Sequence, residues 1–265
     1  MLRAFRKMRS SLLSENRFAR YFFYALGEII LVVIGILIAL QVNNWNENRK
    51  IKQQAETYRQ RLVDDLNSDI KFIRVRIDYF DQVERYLEYA LNEMGQPKAN
   101  ITEEKWQFVL AVFQASQKWD FYSSNATYYE IQNSSTLSYL GDPQLLNDLS
   151  FYYNSATNQL HTLNDGTQAY RDYTRRVINW NIQNYIWSSC YEVGGSYYQL
   201  FVNCSSPPSE DLEIERTYNV IINNKDFTEL INSRISIVHV RNMLYGTLIE
   251  QCEKLIAMLQ QDTNP

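Results

Sequence analysis

The chain has 265 residues and a formal net charge of −4 at pH 7, and it contains only eight glycines and five prolines. Its positive charge is richest near the N-terminus, so the remainder is acidic, which disfavours nucleic acid as a partner. The scarcity of glycine and proline argues against a turn-rich β-sandwich or barrel and favours long helices.

Residues 1–20 form a basic segment with six arginine and lysine residues and a single acid, Glu15. Leu2, Phe5 and Met8 recur at helical spacing between the basic residues. Two structures fit this pattern, an interfacial helix lying on an anionic leaflet and a disordered basic tail.

An apolar run, FFYALGEIILVVIGILIALQV, follows at residues 22–42 and contains one formal charge, Glu28. At about 1.5 Å per residue it spans roughly 30 Å, the thickness of the hydrocarbon core of a bilayer. A cleavable signal peptide would need a small-x-small site after the run, and a soluble core helix would need a polar face, and neither is present. The run therefore predicts a transmembrane anchor over residues 21–44.

The ends of this anchor carry aromatic side chains, Tyr21 and Tyr24 on one side and Trp45 on the other. Such amphipathic rings favour the headgroup level, so we expect these three residues to be interface anchors. The short basic tail predicts a cytoplasmic N-terminus, because a large domain is translocated largely regardless of its own charge. Residues 45–265 are then extracytoplasmic.

Glu28 lies inside the predicted anchor, where an ionised carboxylate is costly and marks function. Three interpretations remain open: a protonated carboxyl in contact with a neighbouring helix, a side chain that snorkels to the near interface, and a proton or ion relay. Gly35 and Ala39 form a small-xxx-small pair that would permit another helix to approach closely. Glu28, Gly35 and Ala39 are therefore the candidate residues for intramembrane contact.

Beyond the anchor, apolar residues recur at steps of three or four without a helix breaker until Gly95 and Pro97. The pattern predicts a first helix to Met94, a second over 102–116, a short one over 127–132, a third long helix over 142–185 bent at Gly166, and a last one over 226–261. A loop or hairpin insertion is expected at about 188–209. These elements predict an all-α fold, an antiparallel helical bundle whose first helix is continuous with the transmembrane helix.

The chain has three cysteines and two histidines. Cys190 and Cys204 could form a disulfide in an oxidising compartment, whereas Cys252 lies on an apolar stripe and is expected to be a buried small hydrophobe. His161 and His239 lack metal-binding spacing, and Asp64, Asp65 and Asp69 are better explained as a solvated acidic face than as a cation site. We therefore predict no catalytic residue, cofactor or metal.

Three classes of function remain. The first is a non-enzymatic structural or accessory protein, the second a ligand-binding sensory bundle that signals through a partner, and the third an enzyme. The absence of recognisable chemistry and the intramembrane Glu28 favour the first.

The segment GEIILVVIGILIALQVNNWNE at residues 27–47 resembles the N-terminal signature of an uncharacterised family of bacterial single-pass membrane proteins, a domain of unknown function. A weaker match covers residues 127–137, where Ser135 stands in place of the family's usual glycine. The resemblance implies location and architecture only, a bacterial inner membrane protein with a periplasmic domain, because the family has no established activity. Its expected partners are membrane lipid and another membrane or envelope protein, or a second copy of the chain.

Overall fold

A computed structural model describes residues 17–134, 136–156, 158, 160, 163, 166–194 and 198–261. Most of the predicted basic tail, Ser135 and His161 therefore lie outside the described residues. The chain divides between Thr57 and Tyr58 into two compact units.

The first helix, α1, extends over Arg17–Gly95 and so passes through the predicted anchor without a break. Its most apolar window of 18 residues has a mean hydropathy of 2.6, and none of that window is buried. This helix is long and apolar enough to cross a membrane. The exposed segment extends from residue 21 to residue 50, and regular burial begins in the second unit.

In the second unit α1 is followed by helices joined by short connections. The helices are α2 (Thr102–Ala115), α3 (Ala126–Gln132), α4 (Pro143–Phe151), α5 (Gln168–Val177), α6 (Trp180–Ser189), α7 (Asp211–Ile222) and α8 (Lys225–Gln261). A π-helical segment, Tyr152–Ala156, continues α4, and a 3-10 turn occupies Leu137–Tyr139. Strands β1 (Tyr191–Gly194) and β2 (Tyr198–Phe201) form an antiparallel hairpin in which Tyr191 pairs with Phe201.

Helices α1 and α8 are antiparallel. Arg59 Nη1 donates a hydrogen bond to the Leu259 carbonyl at 3.0 Å, close to the C-terminal end of α8. Further along α1, Asp81 Oδ1 accepts a hydrogen bond from Asn242 Nδ2 at 2.8 Å. Residue numbers rise on one helix as they fall on the other, so these two helices are antiparallel. The fold is the predicted all-α bundle, in which the later helices pack against the long first helix.

Helix α2 lies in the middle of the bundle. All its residues from Phe108 to Ala115 are buried, as is Trp106, so the helix has core contacts on every side. Two acids, Glu103 and Glu104, lie in its first turn, where they stabilise the positive end of the helix dipole. Its other end, at Ala115, is buried as well, and the carbonyl of Ala115 accepts a hydrogen bond from Arg234.

The prediction of one long helix over residues 142–185 is wrong. Its start is correct, because Asp142 accepts a hydrogen bond from the backbone of Gln144 at 2.9 Å and Pro143 is the first helical residue. The break before α6 arises at Asn179, whose side chain accepts a hydrogen bond from Ile182 N at 3.0 Å and caps a new helix. Because this cap starts a new helix, the residues on either side of Asn179 belong to two helices, although their apolar periodicity suggested one.

Helix α7 is a second difference, since the sequence pattern predicted no helix between the insertion and residue 226. It packs against α2 through the Tyr218 and Phe108 rings, whose centroids are 5.3 Å apart, and through a 2.8 Å ion pair between Lys105 and Glu215. The segment expected to be a loop or hairpin over 188–209 contains the last residues of α6 and then the β1–β2 hairpin.

Candidate functional site

One face of the exposed part of α1 carries the three residues predicted for intramembrane contact. With 3.6 residues per turn, Gly35 and Ala39 each lie within about 20° of Glu28 around the helix axis. A Cβ added to Gly35 would meet no atom within 4 Å. This anchor face, defined by Glu28, Gly35 and Ala39, therefore has room for a neighbouring helix.

The predicted interface anchors are all exposed on the same helix. Tyr21 and Tyr24 are each 77% exposed and Trp45 is 65% exposed. Tyr24 and Trp45 are separated by about 30 Å along the helix axis, which equals the thickness of a hydrocarbon core. Their spacing suits one aromatic group at each membrane surface.

A disulfide joins Cys190 to Cys204, with the Cα atoms 5.3 Å apart, and the two cysteines bracket the β1–β2 hairpin. The Cys204 carbonyl also accepts a hydrogen bond from Trp106 Nε1 at 2.9 Å, which ties the hairpin base to α2. Cys252 is free and buried, and burial raises the pKa of its thiol to about 12. It therefore packs as a protonated, apolar side chain in the core.

Asp64, Asp65 and Asp69 lie in three different environments on α1, exposed, half-buried and buried in that order. Among the described residues, no group of three histidine, cysteine, aspartate or glutamate side chains could hold a metal ion. Asp64 is exposed, as predicted for a solvated acidic face. Asp69 is fully buried, so the prediction of a solvated face is wrong for this residue. Asp69 accepts hydrogen bonds from Ser124 N and from the Tyr152 hydroxyl, both at 2.8 Å.

Burial raises the pKa of Asp69 to about 6, against the opposing effect of the hydrogen bonds from Ser124 and Tyr152. Tyr152 belongs to the π-helical segment, and its ring is fully buried. Asp69 thus connects α1 to the chain at Ser124 and to the end of α4. His239, the histidine within the described residues, is exposed and takes no part in this network.

A second cluster surrounds the C-terminal end of α2. Arg234, on α8, donates from Nε to the Ala115 carbonyl at 3.1 Å and from Nη2 to the Gln117 carbonyl at 2.7 Å. Arg171, on α5, donates from Nη1 to the Ser116 carbonyl at 2.9 Å. The last carbonyls of a helix lack partners within the helix and carry its negative dipole end, so they attract cations.

Arg175 lies one turn after Arg171 on α5. Its guanidinium carbon is 3.8 Å from the centroid of the Phe113 ring and 5.4 Å from that of Trp187, so it packs against both aromatic rings. Arg175 Nη1 donates a hydrogen bond to Gln183 Oε1 at 3.3 Å, whereas its buried Nη2 has no partner. We refer to Arg171, Arg175 and Arg234 as the arginine cluster.

The charges of the arginine cluster influence one another. Burial, together with the nearby charges of Arg241 and Arg171, lowers the pKa of Arg234 to about 9. Burial lowers the pKa of Arg175 to about 10, and Arg171 contributes in the same direction. Arg175 and Arg234 both remain cationic at neutral pH.

Tyr79 is a buried residue whose ring stacks on Phe201 at a centroid distance of 4.6 Å. Burial raises its pKa, whereas the charges of the arginine cluster and of Arg76 act in the opposite direction. Arg76 itself donates to the Asp120 carbonyl at 3.3 Å and stacks on the Trp119 ring at 3.6 Å. The centre of the bundle therefore combines several guanidinium groups with a phenol.

The arginine cluster was not predicted from the sequence, although α8 carries a signal of it. The apolar stripe of α8 includes Ile231, Val238 and Tyr245, which are seven residues apart. A stripe on a helix face also needs the positions between these residues, and Arg234 and Arg241 fill them. A cation at a core position of an apolar stripe predicts a buried arginine.

The fold is a helical bundle that follows a helix apolar enough to cross a membrane. The chain belongs to a family of unknown function, DUF6090, whose model matches residues 28–160, half of the chain. No curated protein and no solved structure matches it. The matched range includes the anchor face and α2, whereas the arginine cluster lies beyond its end.

Proposed function

We propose that this protein is a single-pass protein of the bacterial inner membrane that binds another membrane or envelope protein and performs no catalysis. In this proposal the N-terminus is cytoplasmic and the bundle is periplasmic. The observation that carries it is the anchor face, where Glu28 shares one side of an exposed apolar helix with Gly35 and Ala39.

The energetic reason concerns the carboxyl of Glu28. A charged side chain in the hydrocarbon region costs a few kcal/mol, and a hydrogen-bond donor on a neighbouring helix would reduce that cost. Small residues let two helix backbones approach closely, which gives the van der Waals contact that stabilises helix pairs in lipid. A second transmembrane helix on the anchor face would satisfy both conditions.

Two further features support the proposed location. The short basic tail favours a cytoplasmic N-terminus. The Cys190–Cys204 disulfide suits an oxidising compartment such as the periplasm. The partner helix belongs either to a different envelope protein or to a second copy of this chain.

The test is co-purification from native membranes in mild detergent, with the proteins in the complex identified. Glu28→Leu should release the partner while leaving insertion intact, and Glu28→Gln, which keeps a hydrogen-bonding side chain, should release less. Gly35→Ile should also disrupt the complex, because the larger side chain fills the space that the partner needs.

Gly27→Ile is the matched control for Gly35→Ile. A Cβ at Gly27 likewise meets nothing within 4 Å, but Gly27 lies about 100° from Glu28 around the helix. This control should retain the partner. An unchanged complex in all variants at Glu28 and Gly35 would refute the proposal and favour snorkelling of the carboxyl.

A further inference from the structure

The arginine cluster places three positive charges in the bundle without a compensating carboxylate. In the part of the chain that the structure describes, Arg171, Arg175 and Arg234 pair with carbonyl and amide oxygens and with aromatic rings, and with no acid. Buried arginines are rarely found without an anionic partner, because desolvation of the charge is expensive. The cluster thus holds three positive charges that contact no carboxylate of the described residues.

Two guanidinium nitrogens of the cluster also lack any hydrogen-bond acceptor. Arg234 is 1% exposed, and its Nη1 has no partner. Arg175 Nη2 is also buried and has no hydrogen-bond partner. Arg171 lies near Arg234, since it donates to the Ser116 carbonyl, between the Ala115 and Gln117 carbonyls that Arg234 binds. A buried donor without a partner loses its hydration and gains nothing in exchange.

We propose that the arginine cluster binds a small oxyanion, a carboxylate or phosphate group. The planar guanidinium group presents paired N–H donors that match the spacing of oxygens in such anions. An oxyanion would accept hydrogen bonds from Arg175 Nη2 and Arg234 Nη1 and would balance the charge.

The cluster is held in position before any anion binds. The carbonyls at the end of α2 fix Arg171 and Arg234, and the rings of Phe113 and Trp187 hold Arg175. Arg171 and Arg175 are only half-buried, so α5 connects the cluster to the surface. Such pre-organisation lowers the entropic cost of binding. Oxyanion binding at this site is separate from the proposed partner binding. It would give a sensory bundle its ligand, a small oxyanion.

The experiment uses the full chain in mild detergent, with inorganic phosphate and acetate as separate probes at an ionic strength held constant with sodium chloride. Thermal unfolding and tryptophan fluorescence are recorded as each probe is titrated. At least one probe should raise the midpoint of unfolding with a saturable concentration dependence, because a ligand of the folded state shifts the equilibrium. Saturation by phosphate alone or by acetate alone identifies the preferred anion.

Arg175→Gln is the variant that tests the site, since it removes the paired donors and the charge. We expect its affinity to fall by roughly tenfold or more, as for loss of a charged hydrogen bond. Arg176→Gln is the matched control, because Arg176 is the next residue of α5 and is exposed. It should bind the probe like the unaltered chain.

Arg175→Lys keeps the charge without the paired donors and should give an intermediate affinity, which provides a second measurement if Arg175→Gln folds poorly. A response to phosphate and acetate that never saturates would overturn the proposal. Equal affinities in Arg175→Gln and Arg176→Gln would overturn it as well. Glu28→Leu should bind the anion unchanged, so this proposal and the partner-binding proposal can fail separately.

Discussion

The buried Asp69 predicts an unusual dependence of stability on pH. Its pKa rises from the ordinary 3.8 to about 6, chiefly because burial disfavours the ionised form. A shift of about two units corresponds to roughly 3 kcal/mol, since each unit is worth about 1.4 kcal/mol. Between pH 3.8 and 6 the folded state binds more protons than the unfolded state, so the free energy of unfolding falls as the pH rises through this window.

Asp69→Asn replaces the carboxyl by an amide that does not titrate. The amide oxygen can still accept the hydrogen bond from Ser124 N, and the amide nitrogen can donate to the Tyr152 hydroxyl. Relative to the unaltered chain, the variant should therefore gain up to about 3 kcal/mol of stability between pH 4 and pH 7. Asp64→Asn, which alters an exposed acid of the same helix, should show little such relative gain.

The assay is thermal and urea-induced unfolding of the full chain in detergent, followed by circular dichroism at several pH values from 4 to 7.5. The decisive quantity is the difference in unfolding free energy between each variant and the unaltered chain, because other titrating groups cancel in it. A difference for Asp69→Asn that stays constant with pH would refute the reasoning. The reasoning would also be refuted if the unfolding free energy of Asp69→Asn, relative to that of the unaltered chain, fell as the pH rises.

Two other predictions concern topology and covalent structure. A reporter active only in the cytoplasm, fused after Gln260, should be inactive, and activity there would reverse the proposed orientation. Protein unfolded without reductant should show one reactive thiol, from Cys252, and three thiols would contradict the disulfide. Replacing both Cys190 and Cys204 by serine should reduce the unfolding free energy by about 3 kcal/mol in denaturation experiments, because the bridge closes a loop of about 15 residues.

The parts of the fold that the sequence predicts well are those governed by local signals. Helix α1 continues to Gly95 because no proline interrupts its periodic pattern, and the cap formed by Asp142 and Pro143 starts α4 at the expected residue. Periodicity alone did not reveal the break at Asn179. An asparagine is compatible with a helix interior, and only its hydrogen bond to Ile182 N shows that it serves as a cap.

The candidate sites likewise separate into one that local sequence signals predict and one that depends on contacts between distant residues. Glu28, Gly35 and Ala39 follow from a single helix and could be placed on one face by residue spacing. The arginine cluster depends on α5 and α8 meeting the end of α2, and its key acceptors are backbone carbonyls, which carry no sequence signature. Burial of Asp69 likewise depends on distant residues, Ser124 and Tyr152.

The hydrogen bonds that complete α2 have a consequence for the order in which the chain folds. The carbonyl of Ala115 receives its donor from Arg234, 119 positions later, and that of Ser116 from Arg171, 55 positions later. Arg59 bonds to Leu259, which is 200 positions away. Contacts of such long range form slowly, because a long loop must close first. A nascent chain that has emerged only as far as α7 lacks Arg234, so the Ala115 and Gln117 carbonyls receive their side-chain donor only when the final helix has been synthesised.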